Sequence, residues 1–367
     1  MRRLLSCIII IAIFAMVGAT SCLLKPSPKI SPMPPFPLAE ELFSSSHVKL
    51  PPNINEIILF ISFQGESPGI YGVFPDSATM IPVLEISGSS VVGSLDWSNT
   101  KRMLAFSLAQ GVRNDIFIAD LTTSALYNVT KETPFGGVEP RWSPDGTRIA
   151  YVCGEYEPDI CVIDADGSNY TQLTSHPSRD INPVWSPDGS AIAYQTSRGG
   201  LSDIYVLDLK NQTERNLTRG ISQNAQPSWS PDGKVILFQS DRDGSMDIFT
   251  ISVEDLYIIN LTRHSALDVD PKWSPDGEFI AFRSNREGEW DVFVMRRDGS
   301  NLINLTAGWG PVFTYAWSPD SHYIVFASGY KGNIDIYKVN VQNGNVTQLT
   351  RNAAEDMSPI WISLGER

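Results

Sequence analysis

Pro271-Lys272-Trp273-Ser274-Pro275-Asp276-Gly277 opens a unit that continues through Phe279-Ile280-Ala281-Phe282, Asp291-Val292-Phe293-Val294-Met295 and Leu302-Ile303-Asn304-Leu305-Thr306. Its apolar runs are short and rich in β-branched and aromatic residues, so they read as strands rather than helices. Pro at the second position and Gly at the fourth suit a type I turn ending on a left-handed Gly. Ser-Pro-Asp-Gly therefore joins the first two runs as a hairpin. Polar residues 284–288 separate the second run from the third, and Arg297-Asp298-Gly299 turns the third into the fourth.

Working outward, the same unit recurs along the chain. Trp stands at 97, 142, 185, 229, 273, 317 and 361, at intervals of 45, 43, 44, 44, 44 and 44 residues. Trp-Ser-Pro-Asp-Gly is complete after Trp142, Trp185, Trp229 and Trp273; after Trp317 it ends in Ser321, and after Trp97 it has drifted to Ser98-Asn99-Thr100. Four antiparallel strands in a repeat of this length predict one blade of a β-propeller. No blade can bury both faces alone, so the ring must close. The second run of the series begins near Ile58 with no Trp run before it, and the Trp361 run has no partner after it. The C-terminal run, about Ser358 to Ser363, is therefore expected to join the first blade and close an all-β, seven-bladed propeller over 55–367. A six-bladed ring with a stray N-terminal hairpin is the alternative.

Trp-Ser-Pro-Asp-Gly, followed by an Ile-Ala-Phe-like strand, then Asp203-Ile204-Tyr205-Val206 or Asp335-Ile336-Tyr337, then Leu-Thr, resembles the TolB-type, WD-like propeller repeats. The resemblance spans nearly all of 55–367. It implies a β-propeller outside the cytoplasm that often serves as a protein-interaction module. TolB-type proteins carry an α/β domain ahead of the propeller, where this chain has a Pro-rich segment. Similar propellers also form half of prolyl-oligopeptidase-type peptidases.

The chain of 367 residues has 28 Lys and Arg against 41 Asp and Glu, a net charge of −13, and 42% hydrophobic residues. That is enough apolar content for a core. The acidic balance argues against a nucleic-acid partner, which needs a basic face. Arg2 and Arg3, an apolar run from Leu4 to about Val17, and the small residues Gly18 to Ser21 read as a secretory signal peptide over 1–21. Ala19-Thr20-Ser21-Cys22 resembles a bacterial lipobox, which implies a lipid on Cys22 and a membrane-anchored, extracytoplasmic protein in the periplasm or at the cell surface. An uncleaved anchor and simple secretion are the alternatives. Residues 22–54 then read as the lipidated Cys and a spacer, with Pro at 26, 28, 32, 34, 35, 37, 51 and 52 favouring extended polyproline II. Cys153 and Cys161 fall on two strands of one hairpin and are a possible disulfide in an oxidising compartment.

No Gly-x-Ser-x-Gly elbow, phosphate loop, HExxH or paired CxxC occurs, so neither a catalytic residue nor a cofactor or metal ligand is assigned. Asp115, Asp159, Asp203, Asp247, Asp291 and Asp335 repeat blade by blade, as fold-making residues do. The informative positions lie ahead of each Trp. Three residues before it stand Ser94, Glu139, Asn182, Gln226, Asp270, Thr314 and Ser358; five before it, Asp180, Asn224, Asp268 and Asp356. If this strand is innermost, Glu139, Asp180, Asn182, Asn224, Gln226, Asp268 and Asp270 ring one mouth of the channel and are candidate partner-binding residues. Gly308-Trp309-Gly310-Pro311 breaks the repeat, and a Trp309 exposed there is expected to anchor a partner. The expected function is non-catalytic binding of a protein or envelope polymer at that mouth. The alternative is a metal-dependent lyase or hydrolase acting on a carbohydrate.

Overall fold

A computed structural model describes residue 50 and residues 54–365, except 65–67, 85–89 and 124. The signal-peptide segment, Cys22 and nearly all of the spacer lie outside the described residues. The described chain forms seven antiparallel sheets of four strands each. We call the strands of each sheet A to D from the centre outward. Blade 4, for example, is Asp180–Trp185, Ala191–Thr196, Asp203–Asp208 and Thr213–Asn216. Blade 1 takes strand A from the C-terminus: Asp356–Ser363 pairs with Glu56–Ser62, from Glu56 opposite Ser363 to Ser62 opposite Asp356. The hairpin that begins at Glu56 is thus part of the ring. The count is seven, and the closing strand begins two residues earlier than the sequence suggested.

Strands B and C are buried on both sides because each blade is sandwiched between two others. Ile236, Leu237 and Phe238 are all fully buried. Apolar clusters accordingly run between neighbours. Ile57 and Leu59 of blade 1 pack with Leu104 and Phe106 of blade 2, while Ile58 and Phe60 on the other face pack with Val325 and Ile336 of blade 7. This explains the near-continuous apolar runs that lack clean alternation.

Each Ser-Pro-Asp-Gly turn is closed by its own side chains. In blade 3, Ser143 Oγ donates to Asp145 at 2.6 Å, and the Gly146 N–H donates to the Ser143 carbonyl at 2.8 Å. Gly146 has φ +71°, the left-handed conformation glycine adopts most readily. In blade 7, Ser321 holds the same position at φ +64°, which is why the motif survives there without Gly. Cys153 and Cys161 lie on strands B and C of blade 3, with their sulfurs bonded and Cα atoms 5.8 Å apart.

Closure rests heavily on Trp361. Its indole N–H donates to Glu56 at 2.9 Å, and its ring stacks 5.6 Å from Tyr323 of blade 7. Trp361→Ala should lower unfolding stability by about 3–5 kcal/mol in denaturant titration. Tyr156→Ala, at a side chain 89% exposed, should stay within about 0.5 kcal/mol of the parent.

Candidate functional site

Strand A is innermost, and neighbouring A strands approach one another around the central channel. Each of these strands carries a β-bulge. In blade 4 the pairing with strand B jumps between Ile181 and Val184, and blades 3, 5 and 6 break at the same place. The residue three before the Trp sits in that bulge with positive φ: Glu139 +56°, Asn182 +54°, Gln226 +55°, Asp270 +54° and Ser358 +53°. A buried Pro follows each of them, at 140, 183, 227, 271 and 359. Proline has no N–H to offer a ladder, so an innermost edge and a bulge suit it. Left-handed backbone is otherwise reached most easily by Asn, Asp and Gly. The polarity at this position is thus set partly by the backbone.

Glu139, Asn182, Gln226 and Asp270 are half-buried in the bulge of the innermost strand. Asn182 donates from its side chain to Gln195 at 3.0 Å, and its N–H donates to Glu139 at 3.3 Å. Asp270 accepts from Arg283 Nε at 2.8 Å and is ion-paired with its guanidinium. Asn182 and Glu139 are thus joined across two blades, whereas Asp270 is turned to Arg283 of its own blade. The residues five before the Trp do not line the mouth: Asp180, Asn224 and Asp268 are fully buried. An Arg following strand B folds over each. Arg198 reaches Asp180 at 2.9 Å, Arg242 reaches Asn224 at 3.0 Å and Arg286 reaches Asp268 at 2.7 Å. Each guanidinium also lies over the aromatic pair of strands B and C, as Arg286 does 5.5 Å from Phe282 and 4.9 Å from Phe293. These are internal latches, and their side chains are not presented to a partner. Trp309 is likewise half-buried, with its ring 4.8 Å from Tyr330 and 5.7 Å from Tyr337. The exposed aromatic there is Tyr330.

Two sets of residues escaped sequence reasoning. The first is the exposed apolar set on the B–C and D–A loops, the end where strand A starts. Eight of the thirteen exposed large apolar residues among those described lie there, led by Tyr156 at 89%, Val112 at 86% and Ile221 at 72%. The second is Arg141 and Lys272, each one residue before a Trp and pointing into the channel zone. Their only signal was positive charge at a position held by Asp96, Val184, Ser228, Ala316 and Ile360 in the other blades.

The opposite face carries the Ser-Pro-Asp-Gly turns and the C–D turns, and it is acidic. Hydrogen bonds from Ser143, Ser186 and Ser230 hold Asp145, Asp188 and Asp232 below the ordinary carboxylate range. Between blades 4 and 5 this face has a groove of 580 Å³ with Val206, Trp229 and Val253 among its walls and Asp188, Asp208 and Asp232 at its rim. Among the described residues, no three of His, Cys, Asp and Glu converge as a metal site. No helix there is long and apolar enough to cross a membrane. Asp268→Ala would strand the Arg286 charge in a buried site. It should reduce unfolding stability by about 3–5 kcal/mol in denaturant titration, whatever it does to binding.

No curated protein matches the sequence. Among solved structures, a protein assigned as TolB from Agrobacterium tumefaciens aligns at 25% identity and TM-score 0.52, covering 66% of this chain and 87% of that one. A puromycin-hydrolysing peptidase of Mycobacterium tuberculosis aligns at 15% identity and TM-score 0.62, covering 80% of this chain and 53% of that one. Oligogalacturonate lyase of Vibrio parahaemolyticus aligns at 14% and 0.60, covering 78% and 87%. At such identities the last two likenesses concern the fold alone. The family model described as the TolB beta propeller domain matches residues 58–205 and 138–256, together more than half the chain. With seven Trp-marked blades, the chain belongs to the TolB β-propeller domain family.

Proposed function

We propose that this protein is a non-catalytic, exported propeller that presents the B–C and D–A loop face to a protein partner. The observation that carries this reading is the concentration of exposed apolar side chains on that one face. Apolar groups gathered on one side of a soluble domain mark an interaction surface when they are contiguous. Tyr156, Val112 and Ile221 are nearly free of neighbours, so burying them under a partner would remove apolar area from water at small reorganisation cost. Glu139, Asn182, Gln226 and Asp270 form the polar centre of the same face, where they would fix orientation and exclude wrong partners.

Export and anchoring belong to the same reading. The signal-like segment 1–21 and Cys22 support a lipid-tethered protein on the extracytoplasmic side, and a disulfide between Cys153 and Cys161 suits an oxidising compartment. The folded ring begins and ends on its acidic face, where the Leu364 N–H donates to the Asn55 carbonyl at 2.7 Å. A tether through the Pro-rich spacer would leave from that side, with the apolar face opposite it.

Affinity capture from native membranes with the full chain tests the surface. Tyr156→Asp combined with Ile221→Asp should lower partner recovery at least tenfold while the melting temperature stays within about 2 °C of the parent. Equal recovery would reject this face as the docking surface. Separately, Cys22→Ala should move the protein from the membrane fraction to the soluble one, and retention would point to an uncleaved anchor.

A further inference from the structure

Inside the channel, two cations make no direct ion pair among the described residues. Arg141 and Lys272 occupy the same register in strands A of blades 3 and 6, one residue before the Trp. Arg141 Nη1 donates to Ser94 Oγ at 2.8 Å and to the Pro140 carbonyl at 3.0 Å. Lys272 Nζ donates to the Tyr315 carbonyl at 2.6 Å and sits 4.6 Å from the centre of the Tyr315 ring. Among the described residues, no carboxylate lies within 4.0 Å of either cation. Guanidinium carries five N–H donors and ammonium three, so both keep donors free for a ligand.

The surroundings sharpen this. Lys272 is accessible to solvent, yet enclosure by the channel walls pushes its ammonium down to about 8, with Asp270 opposing and Arg141 and Arg283 adding repulsion. The nearest acids are already engaged. Asp270 is committed to Arg283. Asp96 accepts the Trp142 N–H at 2.6 Å, and burial raises its pKa against the pull of Arg141. Tyr315 donates its hydroxyl to the Asp270 and Ala281 carbonyls and is held well above its ordinary range, so it stays neutral. Two cations thus repel each other in a confined channel, and an unpaired charge in such a place is costly.

We propose that Arg141 and Lys272 form a carboxylate-binding site in the propeller channel. Two single charges partly balanced by Asp96 and Asp270 suit a monoanion rather than a phosphate dianion. At the same register the other blades place Asp96, Val184, Ser228, Ala316 and Ile360; three of these five are apolar, so the anion should ride on a short apolar stem. That chemistry is shared by a free small organic acid and by an acidic side chain of an inserted peptide. Neither source depends on the partner-docking face, because the site is defined by the chain's own channel.

Titration calorimetry on the full chain at constant ionic strength tests this with two probes: sodium propionate, and an end-capped pentapeptide with one central Glu between alanines. At least one probe should bind. Lys272→Met and Arg141→Gln should each weaken it at least tenfold, with the melting temperature at pH 7 retained. Because Lys272 loses its proton near pH 8, binding by the parent should also weaken at least tenfold between pH 7 and pH 9.5. Tighter binding of propionate assigns the site to a free acid; tighter binding of the peptide assigns it to a side chain. Failure of both probes, unchanged binding in Lys272→Met, or equally tight binding of sulfate would overturn the proposal.

Discussion

The interaction on which the blades depend joins an Asp at or near the start of strand C to the Thr two residues beyond strand D. Asp115, Asp159, Asp203, Asp247, Asp291 and Asp335 each accept a hydroxyl hydrogen bond from Thr130, Thr174, Thr218, Thr262, Thr306 and Thr350, at 2.7–3.2 Å. The same Thr oxygens accept the N–H of the residue after each Asp at 2.9–3.0 Å. Strand D needs this. It is two residues long at Thr171–Gln172 and at Ile303–Asn304, far too short to be held by ladder bonds alone. A buried, charge-assisted latch supplies what the ladder lacks, and removing either partner would leave the other unsatisfied. Blade 1 has Gly69 where the others have Asp, so it relies instead on the C-terminal strand and Trp361.

A second constraint shapes the channel. The bulge in strand A turns the residue three before the Trp into left-handed backbone and follows it with Pro in five blades. For Glu139, Gln226 and Ser358 that conformation is unfavourable by about 1–2 kcal/mol each. Bulges re-aim side chains and recur beside functional sites. Here the bulge ends the regular pairing at the mouth and restores it at Arg141 and Lys272, one pleat deeper. Blade 7 departs from the rule: Thr314 has no positive φ, and Tyr315 replaces the Pro. That exchange brings the Tyr315 carbonyl and ring to Lys272.

The blade architecture was legible because it is written locally and written repeatedly. Trp spacing, Ser-Pro-Asp-Gly turns and four short apolar runs each rest on near-neighbour physics, and the unpaired runs at Ile58 and Trp361 then demand each other. The structural role of the strand-C Asp residues was legible from their regularity. Burial at Asp180, Asn224 and Asp268 was not, because their partners Arg198, Arg242 and Arg286 lie eighteen residues later and meet them only in the folded blade. A signal existed in Thr196-Ser197-Arg198, Ser240-Asp241-Arg242 and Ser284-Asn285-Arg286, a repeated hydroxyl-x-Arg after strand B. Tyr156 and Ile221 gave no such signal. A lone apolar residue in a loop acquires meaning only when ring closure gathers it with others on one face.

That gathering also gives the net charge a direction. The excess acid of the chain sits heavily in the turns of one face, where Ser143, Ser186 and Ser230 keep their Asp neighbours ionised. Such a face repels copies of itself and anionic surfaces, and it favours solubility. The other face carries the exposed Val112, Tyr156 and Ile221. Both ends of the ring leave from the acidic side. The strand that closes the propeller therefore also brings Leu364 back beside Asn55, on the face opposite the exposed apolar side chains.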